Sequence, residues 1–287
     1  MHFLQVDVFA DRPYAGNPLA VFPDAGEPSS AQMQAIASEM NLSETVFVTG
    51  ASRDAYDVRI FTPKTELGFA GHPTIGTAWS LLHVDAVKEN QLVQRSPAGQ
   101  TNVTVDGDRI WFERDGSAQP DLEDHNPDAL RRVASWVGLQ PSEAGLEARE
   151  LGRHGRLRPA IADAGLPHLM LPVENLGALG RCTPPPDEAT GLGIGGIYCF
   201  TALRAGGVRA RALFPASTGA VEDPGTGSAA ASLGLYLADR IGDIDFEIEQ
   251  GVELGRPCRI DVSGREGSVR VGGRCELVLE GDLRRLP

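Results

Sequence analysis

Short runs of alternating or β-branched apolar residues dominate the chain, and each run predicts a β-strand. These runs are rich in Val, Ile, Phe and Thr, which suit a pleated and half-buried surface. The predicted strands are 3–9, 19–22, 45–48, 57–61, 91–94, 101–105, 110–112, 168–171, 197–200, 208–213, 246–249, 258–262, 268–271 and 276–279.

Helical patterns are fewer, and two of them carry almost no charge. A capping box at Ser29 to Gln32 predicts a helix over 31–40, and a second helix is expected near 127–137. The segment 74–83 follows Gly71-His72-Pro73, with Pro73 expected at the first helical position. The segment 229–237 follows a similar glycine-rich turn at 224–228. Helices that are apolar on every side are usually buried in a core, so both are expected to be central.

The two glycine-rich turns lie about half the chain apart, which indicates an internal duplication. The polar segment 115–126 is interpreted as the connection between the halves. The predicted fold is α+β, with two similar domains, each a barrel-like and mostly antiparallel β-sheet wrapped around a central apolar α-helix. We place the domains at 1–117 and 118–287, and leave open whether the last strand packs back on the first domain.

Composition excludes several classes of protein. The 287 residues carry a formal net charge of −13, which argues against binding nucleic acid or an anionic membrane. No signal peptide and no apolar run of about 18 residues is present, so neither secretion nor a membrane span is expected. The four cysteines form no C-x-x-C pair and no His stands at metal-ligand spacing, so we expect no metal and a cytoplasmic protein with ordinary buried thiols.

The glycine-rich turns are the first candidates for chemistry. A helix start presents unpaired backbone N–H groups with a partial positive charge, and glycine lets a ligand approach them closely. Two such starts facing one another would bind an anion, most simply a carboxylate. Tight helix–sheet packing would require the same glycines. Neither turn matches a Walker loop or G-x-G-x-x-G, which disfavours nucleotide binding.

Three ionisable residues near these turns are candidates for proton transfer. His72 lies within the first turn, although it could equally be a helix N-cap or a satisfied core histidine. Asp223 precedes the second turn and could be an N-cap. Glu44 precedes the apolar run 45–48, where a half-buried carboxylate could act as acid or base, or could simply be a solvated loop residue. Ser228 is interpreted as a hydrogen-bond donor, because G-x-S-x-G is absent.

Five linked motifs, spread over nearly the whole chain, resemble those of the phenazine-biosynthesis PhzF-like isomerase family. The residues at 250–251 and 255–257 resemble the family's C-terminal signature. The five are DVF (7–9) with GNPLAV (16–21), MNLSETVF (40–47), FTP (61–63) with Glu66, FAGHPT (69–74) and EDPGTGSA (222–229).

The resemblance implies the diaminopimelate-epimerase-like fold, with the active site in the cleft between two domains. It also implies a cofactor-independent isomerase, often a homodimer, in which a glutamate moves a proton on dihydro-hydroxyanthranilate. Glu44 matches that glutamate. The positions that match substrate-site residues, including the glycine-rich carboxylate cradle, are Gly71, His72, Pro73, Thr74, Asp223, Gly225, Thr226, Gly227 and Ser228.

Relatives of the same fold that racemise amino acids use two cysteines just before the glycine turns. Here those positions hold Ala70 and Pro224, neither of which can carry a proton. Within the family, Gly225 replaces a commoner alanine. We therefore predict a cytoplasmic isomerase of phenazine-biosynthesis type, acting on a small anionic carboxylate through Glu44, with His72 and Asp223 positioning the substrate. A non-thiol racemase or epimerase, a catalytically silent binding protein and an interaction protein remain as alternatives.

Overall fold

The computed structural model describes residues 1–126, 128–203, 206–218 and 221–287. By its internal contacts the chain forms two compact units, unit 1 (Met1–Glu113 with Gly272–Pro287) and unit 2 (Arg114–Val271). The division into domains at 1–117 and 118–287, inferred from the sequence, stays a prediction.

The strands formed by the described residues agree closely with the alternating runs. They are β1 (His2–Val8), β2 (Asn17–Phe22), β3 (Glu44–Ala51), β4 (Ala55–Phe61), β5 (Glu66–Leu67), β6 (Gln91–Ser96), β7 (Gly99–Asp106), β8 (Arg109–Asp115), β9 (Ser117–Ala118), β10 (Leu146–Glu147), β11 (Arg156–Leu157), β12 (Ala160–Asp163), β13 (Pro167–Pro172), β14 (Ile197–Ala202), β15 (Val208–Leu213), β16 (Glu222–Asp223), β17 (Ile244–Gln250), β18 (Cys258–Arg265), β19 (Ser268–Gly273) and β20 (Cys275–Asp282).

The α-helices of the described residues are α1 (Ser30–Met40), α2 (Gly71–His83), α3 (Leu122–His125), α4 (Ala129–Trp136), α5 (Leu176–Arg181) and α6 (Gly227–Ile241). Short 3₁₀ turns cover Pro141–Glu143, Ala148–Leu151, Asp187–Leu192 and Ala216–Thr218.

Two features of the fold differ from those expected from the sequence, and one expected residue lies outside the described ranges. The segment 115–126 is not a plain connection, because it forms α3 and β9, and Ala118 pairs with Ala162 of β12. Helix α2 begins at Gly71, so Pro73 is its third residue rather than its first. Proline is tolerated there because N–H groups in a first turn have no partner within the helix. The helix expected from residue 127 is α4, while Pro127 itself lies outside the described residues.

The two units share one pattern of strand pairing. In unit 1, β1 and β2 are antiparallel, β2 and β3 parallel, β3 and β4 antiparallel, β4 and β6 parallel, and β6 and β7 antiparallel. In unit 2, the same alternation runs through β12, β13, β14, β15, β17 and β18. Strand β20 completes unit 1 by pairing antiparallel with β1. The repeated pairing supports the predicted duplication.

Each unit surrounds one apolar helix. Helix α2 contacts β1, β2, β3, β7 and β20, and helix α6 contacts β9, β12, β13, β17 and β18. The Cβ of an alanine at Gly76 would lie 2.6 Å from Leu19 Cδ2, and one at Gly234 would lie 2.6 Å from Val269 Cγ2. Both helices therefore lie against their sheets at glycine contacts. This arrangement confirms the predicted α+β class with barrel-like sheets around central helices.

The outer face of each sheet is covered by other helices. In unit 1, helix α1 buries Met33 and Ile36 over Phe22, Phe47 and Phe61. The rings of Phe22 and Phe47 are stacked with centroids 4.9 Å apart. In unit 2, residues of α4 and α5 share a core with those of β13, β14 and β15. The strands of each unit therefore pack on both faces, against the central helix on one side and against the outer helices on the other.

Candidate functional site

The first residues of α2 form the candidate site of unit 1. Ala70 is the N-cap residue, with extended backbone (φ −151°, ψ 141°), and no side chain caps the helix. The Thr74 hydroxyl donates to the Ala70 carbonyl at 2.9 Å and accepts from Gln94 Nε2 at 3.0 Å. The helix start is thus fixed by its own threonine and by a buried glutamine, while its first N–H groups keep the anion-binding character of an uncapped start.

His72 links this helix start to Glu44. The side-chain amide of Asn17 donates to His72 Nδ1 at 3.2 Å, and His72 Nε2 lies 3.4 Å from Glu44 Oε2. A neutral imidazole that accepts at Nδ1 carries its proton on Nε2, the ring nitrogen nearer the glutamate, although the two atoms do not form a hydrogen bond. His72 is therefore not an N-cap, and the structure brings two of the predicted site residues together.

Burial decides the charge of His72. The side chain is 4% exposed, and desolvation lowers its pKa from 6.5 to about 3. At neutral pH the imidazole is therefore uncharged and a poor base. The Glu44 side chain is 17% exposed, at the first residue of β3. The half-buried carboxylate expected from sequence is present, and its neighbour does not compete with it for a proton.

The connection between β1 and β2 holds Asn17 in place. Gly16 has φ +70°, and a Cβ there would lie 2.4 Å from the Val8 carbonyl oxygen, so only glycine fits. The buried carboxylate of Asp7 accepts the Tyr14 backbone N–H at 2.7 Å. These contacts explain why the motifs at 7–9 and 16–21 occur together: they fix the loop that fixes His72.

The start of α6 forms the candidate site of unit 2. Thr226 is its N-cap residue, and its hydroxyl donates to Asp223 Oδ2 at 2.6 Å instead of capping the helix. Asp223 lies in β16 and is therefore not an N-cap. As at α2, the side chain of the N-cap residue does not cap the helix start, so its first N–H groups keep their anion-binding character.

A fully buried glutamine organises this second helix start. Gln250 Nε2 donates to the Asp223 carbonyl at 2.8 Å and to the Thr226 hydroxyl at 3.0 Å. Its Oε1 accepts from the Thr226 N–H at 3.2 Å and from the Tyr198 hydroxyl at 2.8 Å. Burial raises the pKa of Tyr198, which keeps it a donor. All four hydrogen-bonding positions of the amide are used, so Asp223 and Thr226 are held rigidly.

Ser228, the second residue of α6, lies beside a histidine that sequence reasoning missed. The distance from its Oγ to His168 Nε2 is 3.2 Å. The predicted residues Gly225, Thr226, Gly227 and Ser228 are all at this helix start, and Gly71, His72, Pro73 and Thr74 are all at the start of α2.

Several contributors were not among the predicted site residues. Asn17 and Gln250 stood in motifs that the sequence showed, so a signal for both existed. Tyr198 and His168 lie in strands with no local feature that sets them apart. The four cysteines are buried thiols rather than disulfides, at positions other than the two turns.

In the described part of the chain, no group of three or more His, Cys, Asp or Glu residues is arranged to hold a metal ion. Among the same residues, no helix combines the length and apolar character that crossing a membrane requires.

Known proteins resemble this chain over most of its length. The chain is 36% identical over 270 residues to a trans-2,3-dihydro-3-hydroxyanthranilate isomerase of Pseudomonas chlororaphis, covering 89% of this chain and 87% of that protein. A solved structure of Pseudomonas aeruginosa, described as a predicted epimerase, superposes with a TM-score of 0.80 at 32% identity, covering 99% of both chains.

A more distant structure extends the fold comparison. A hydroxyproline epimerase of Agrobacterium vitis superposes with a TM-score of 0.60 at 12% identity, over 98% of this chain and 91% of that one. This likeness concerns the fold alone, and it confirms the epimerase-like fold that the motifs implied.

The family model described as "phenazine biosynthesis-like protein" matches residues 6–281, which include every motif described above. Because this match spans nearly the whole chain and relatives at 33–36% identity are isomerases, the chain belongs to the PhzC-PhzF family of phenazine biosynthesis-like proteins and is an isomerase.

Proposed function

We propose that this isomerase moves a proton on a small carboxylate-bearing substrate of the dihydro-hydroxyanthranilate type, without a cofactor and with Glu44 as general acid and base. The observation that carries the proposal is the Glu44–His72 pair, in which a half-buried carboxylate oxygen lies 3.4 Å from Nε2 of a neutral imidazole. The substrate class comes from the Pseudomonas chlororaphis relative, which is named for that substrate.

In the proposed reaction, Glu44 removes a proton from a substrate carbon. The electron pair of the broken C–H bond shifts the double bond, and the same proton is returned to another carbon on the same face. Atoms and electrons balance, because the substrate is only rearranged. Positioned proton transfer of this kind contributes about 100- to 10,000-fold to the rate.

The residues around Glu44 have supporting roles in this proposal. His72 Nε2 lies 3.4 Å from the Glu44 carboxylate and positions it in this proposal, and a pKa of about 3 prevents the imidazole from taking the transferred proton. Asp223 positions the substrate and stabilises developing charge. We assign carboxylate binding to the uncapped helix starts, through Gly71, Pro73 and Thr74 in unit 1 and Gly225, Thr226, Gly227 and Ser228 in unit 2.

The test is NMR in deuterated water with trans-2,3-dihydro-3-hydroxyanthranilate. We expect wild type to consume the substrate, and Glu44→Gln to lose at least 100-fold in rate, because the amide cannot carry the proton. The matched control is Glu39→Gln, the same change at an exposed position on α1, which should keep full activity. A fully active Glu44→Gln variant would remove Glu44 from the mechanism.

The same experiment separates the alternative functions. Exchange of a substrate C–H with inversion at that carbon, and no shift of the double bond, would indicate a racemase or epimerase. Tight binding without any C–H exchange would indicate a binding protein.

We also expect a cytoplasmic homodimer, as the family resemblance implies. Light scattering during size-exclusion chromatography checks the assembly, since a dimer has twice the chain mass of 30.5 kDa.

A further inference from the structure

His168 is a buried histidine that the mechanism above does not use. It is the second residue of β13 and is 1% exposed. Its Nε2 lies 3.2 Å from Ser228 Oγ, within hydrogen-bond distance. Ser228 is the second residue of α6, at the uncapped helix start assigned above to carboxylate binding.

We propose that His168 is a positioning residue, whose Nε2–H donates to Ser228 Oγ and directs the serine O–H toward the substrate carboxylate. The inference rests on the proposed function, because it takes Ser228 to bind an anion. His168 itself does not touch the substrate in this proposal.

The direction of the hydrogen bond follows from counting protons. A serine hydroxyl has one proton to donate, and an ionised carboxylate can only accept. If Ser228 donated to the imidazole, its hydroxyl could not donate to the anion. The histidine must therefore be the donor. Two donors in sequence polarise one another, which strengthens the outer hydrogen bond.

His168 is neutral at physiological pH, which makes the position of its one N–H decisive. Burial lowers its pKa from 6.5 to about 4. The neutral ring exists as one of two tautomers, and only the tautomer with hydrogen on Nε2 can donate to Ser228. A fixed neutral donor also orients the hydroxyl without adding a positive charge that would bind unrelated anions.

The surroundings of His168 hold the ring still. Its strand pairs with β12 on one side, where His168 faces Ala162, and with β14 on the other. Gly195 lies beside the ring, and a Cβ at that residue would be 3.2 Å from His168 Cε1. A ring confined between two strands and a close backbone can fix the serine rotamer.

The kinetic test uses two replacements of similar size. His168→Leu removes the donor, whereas Gln places an amide N–H near the position of Nε2. We expect His168→Leu to raise KM about 10-fold with kcat little changed, and His168→Gln to stay within about 2-fold of wild type. His154→Leu, at an exposed histidine of the same unit, is the control and should change neither constant.

A double-mutant cycle separates positioning from a structural role. Ser228→Ala should raise KM about 10- to 100-fold. In that background, His168→Leu should add less than about 2-fold, since there is no hydroxyl left to orient. Equal effects of His168→Leu with and without Ser228 would overturn the proposal, and so would an unchanged KM in the single variant.

A second measurement does not depend on activity. Long-range ¹H–¹⁵N NMR of the ¹⁵N-labelled wild-type protein reports the tautomer of each neutral histidine. Hydrogen on Nε2 of His168 supports the inference, and hydrogen on Nδ1 overturns it. If trans-2,3-dihydro-3-hydroxyanthranilate is not turned over, the proposed function fails while the tautomer still tests this inference.

Discussion

The starts of α2 and α6 are built alike but differ in where their polar atoms are directed. Both lack a side-chain cap, and both have a buried glutamine bonded to a threonine, Gln94 to Thr74 and Gln250 to Thr226. At α2 the histidine of the helix itself faces a half-buried carboxylate. At α6 the nearby carboxylate of Asp223 already accepts a hydroxyl. The duplicated start therefore favours proton transfer in unit 1 and fixed hydrogen bonding in unit 2.

Two other helices of the same molecule begin with a side-chain cap. Ser29 and Gln32 form a full capping box at α1, and the Asn175 side chain accepts the Ala178 N–H at α5. Neither helix begins at a candidate site. Helices α3 and α4 also lack a side-chain cap, although their N-cap residues are Asp121 and Asp128. The N-cap residue of α2 is Ala70, which has no side-chain acceptor, and the Thr226 hydroxyl of α6 donates to Asp223 instead.

The largest expected effect compares the carboxylates of the two units. Glu44→Gln should lower kcat about 100- to 10,000-fold, because it removes the proton carrier. Asp223→Asn should cost only about 10-fold, mainly in KM, because its amide oxygen still accepts the Thr226 hydroxyl. Steady-state kinetics of both variants measures the ratio. The reverse order of effects would assign proton transfer to unit 2.

The second prediction concerns stability against acid and the two buried histidines. In the unfolded chain a histidine binds a proton below about pH 6.5, whereas in the folded protein the pKa of His72 is about 3 and that of His168 about 4. The free energy of unfolding that depends on each neutral imidazole is fully present above pH 6.5, and it is lost as the pH falls because only the unfolded chain binds the proton. Each histidine should lower the free energy of unfolding by about 2 kcal/mol between pH 6.5 and pH 5.

Urea unfolding at pH 7.5 and pH 5.0 checks this loss. His72→Gln and His168→Gln should each reduce the pH dependence by about 2 kcal/mol relative to wild type. Below pH 4, His168 also binds its proton in the folded state, so the loss of stability that it causes stops growing. The loss caused by His72 grows further, until the pH reaches about 3. Equal pH dependence in wild type and both variants would show that neither imidazole is desolvated.

The third prediction concerns the glycine contacts of the central helices. Gly234→Ala should destabilise the protein by about 1–2 kcal/mol, because its Cβ would meet stiff valines at positions 262 and 269. Gly76→Ala should cost somewhat less, since it would meet one stiff valine, Val8 Cγ2 at 2.7 Å, while the Leu19 side chain can turn away. Gly180→Ala on α5, with nothing within 4 Å of the added atom, is the control and should be neutral or slightly stabilising. Thermal unfolding of the three variants measures the order of their destabilisation.

The smallest expected effect comes from adding the cap that α2 lacks. Ala70 has an extended N-cap backbone, so Ala70→Ser should stabilise the protein by about 1 kcal/mol. The new hydroxyl would occupy an N–H that the substrate carboxylate would otherwise bind, so KM should rise. Ser29→Ala at α1 should lose about 1 kcal/mol without any change in KM. A stabilised Ala70→Ser variant with unchanged KM would contradict anion binding at α2.

Local patterns predicted most elements, and the family motifs included Glu44 and His72 as site residues without predicting their contact. Alternation located the strands because each buries at least one face, and the lack of charge identified α2 and α6 as central. His168 could not be found in this way, because it meets Ser228 from 60 residues away through strand register. Asn17 and His72 are likewise 55 residues apart. A local period encodes which face a residue occupies, but not which distant residue faces it.

The pairing of β20 with β1 has a consequence for synthesis on the ribosome. Leu4 of β1 faces Glu280 of β20, so unit 1 cannot complete its sheet until nearly the whole chain has emerged. Unit 2 is one continuous segment and can fold earlier. Closing a loop of this length slows the final step through chain entropy. Until β20 is available, the edge of β1 that pairs with it stays unpaired in nascent unit 1.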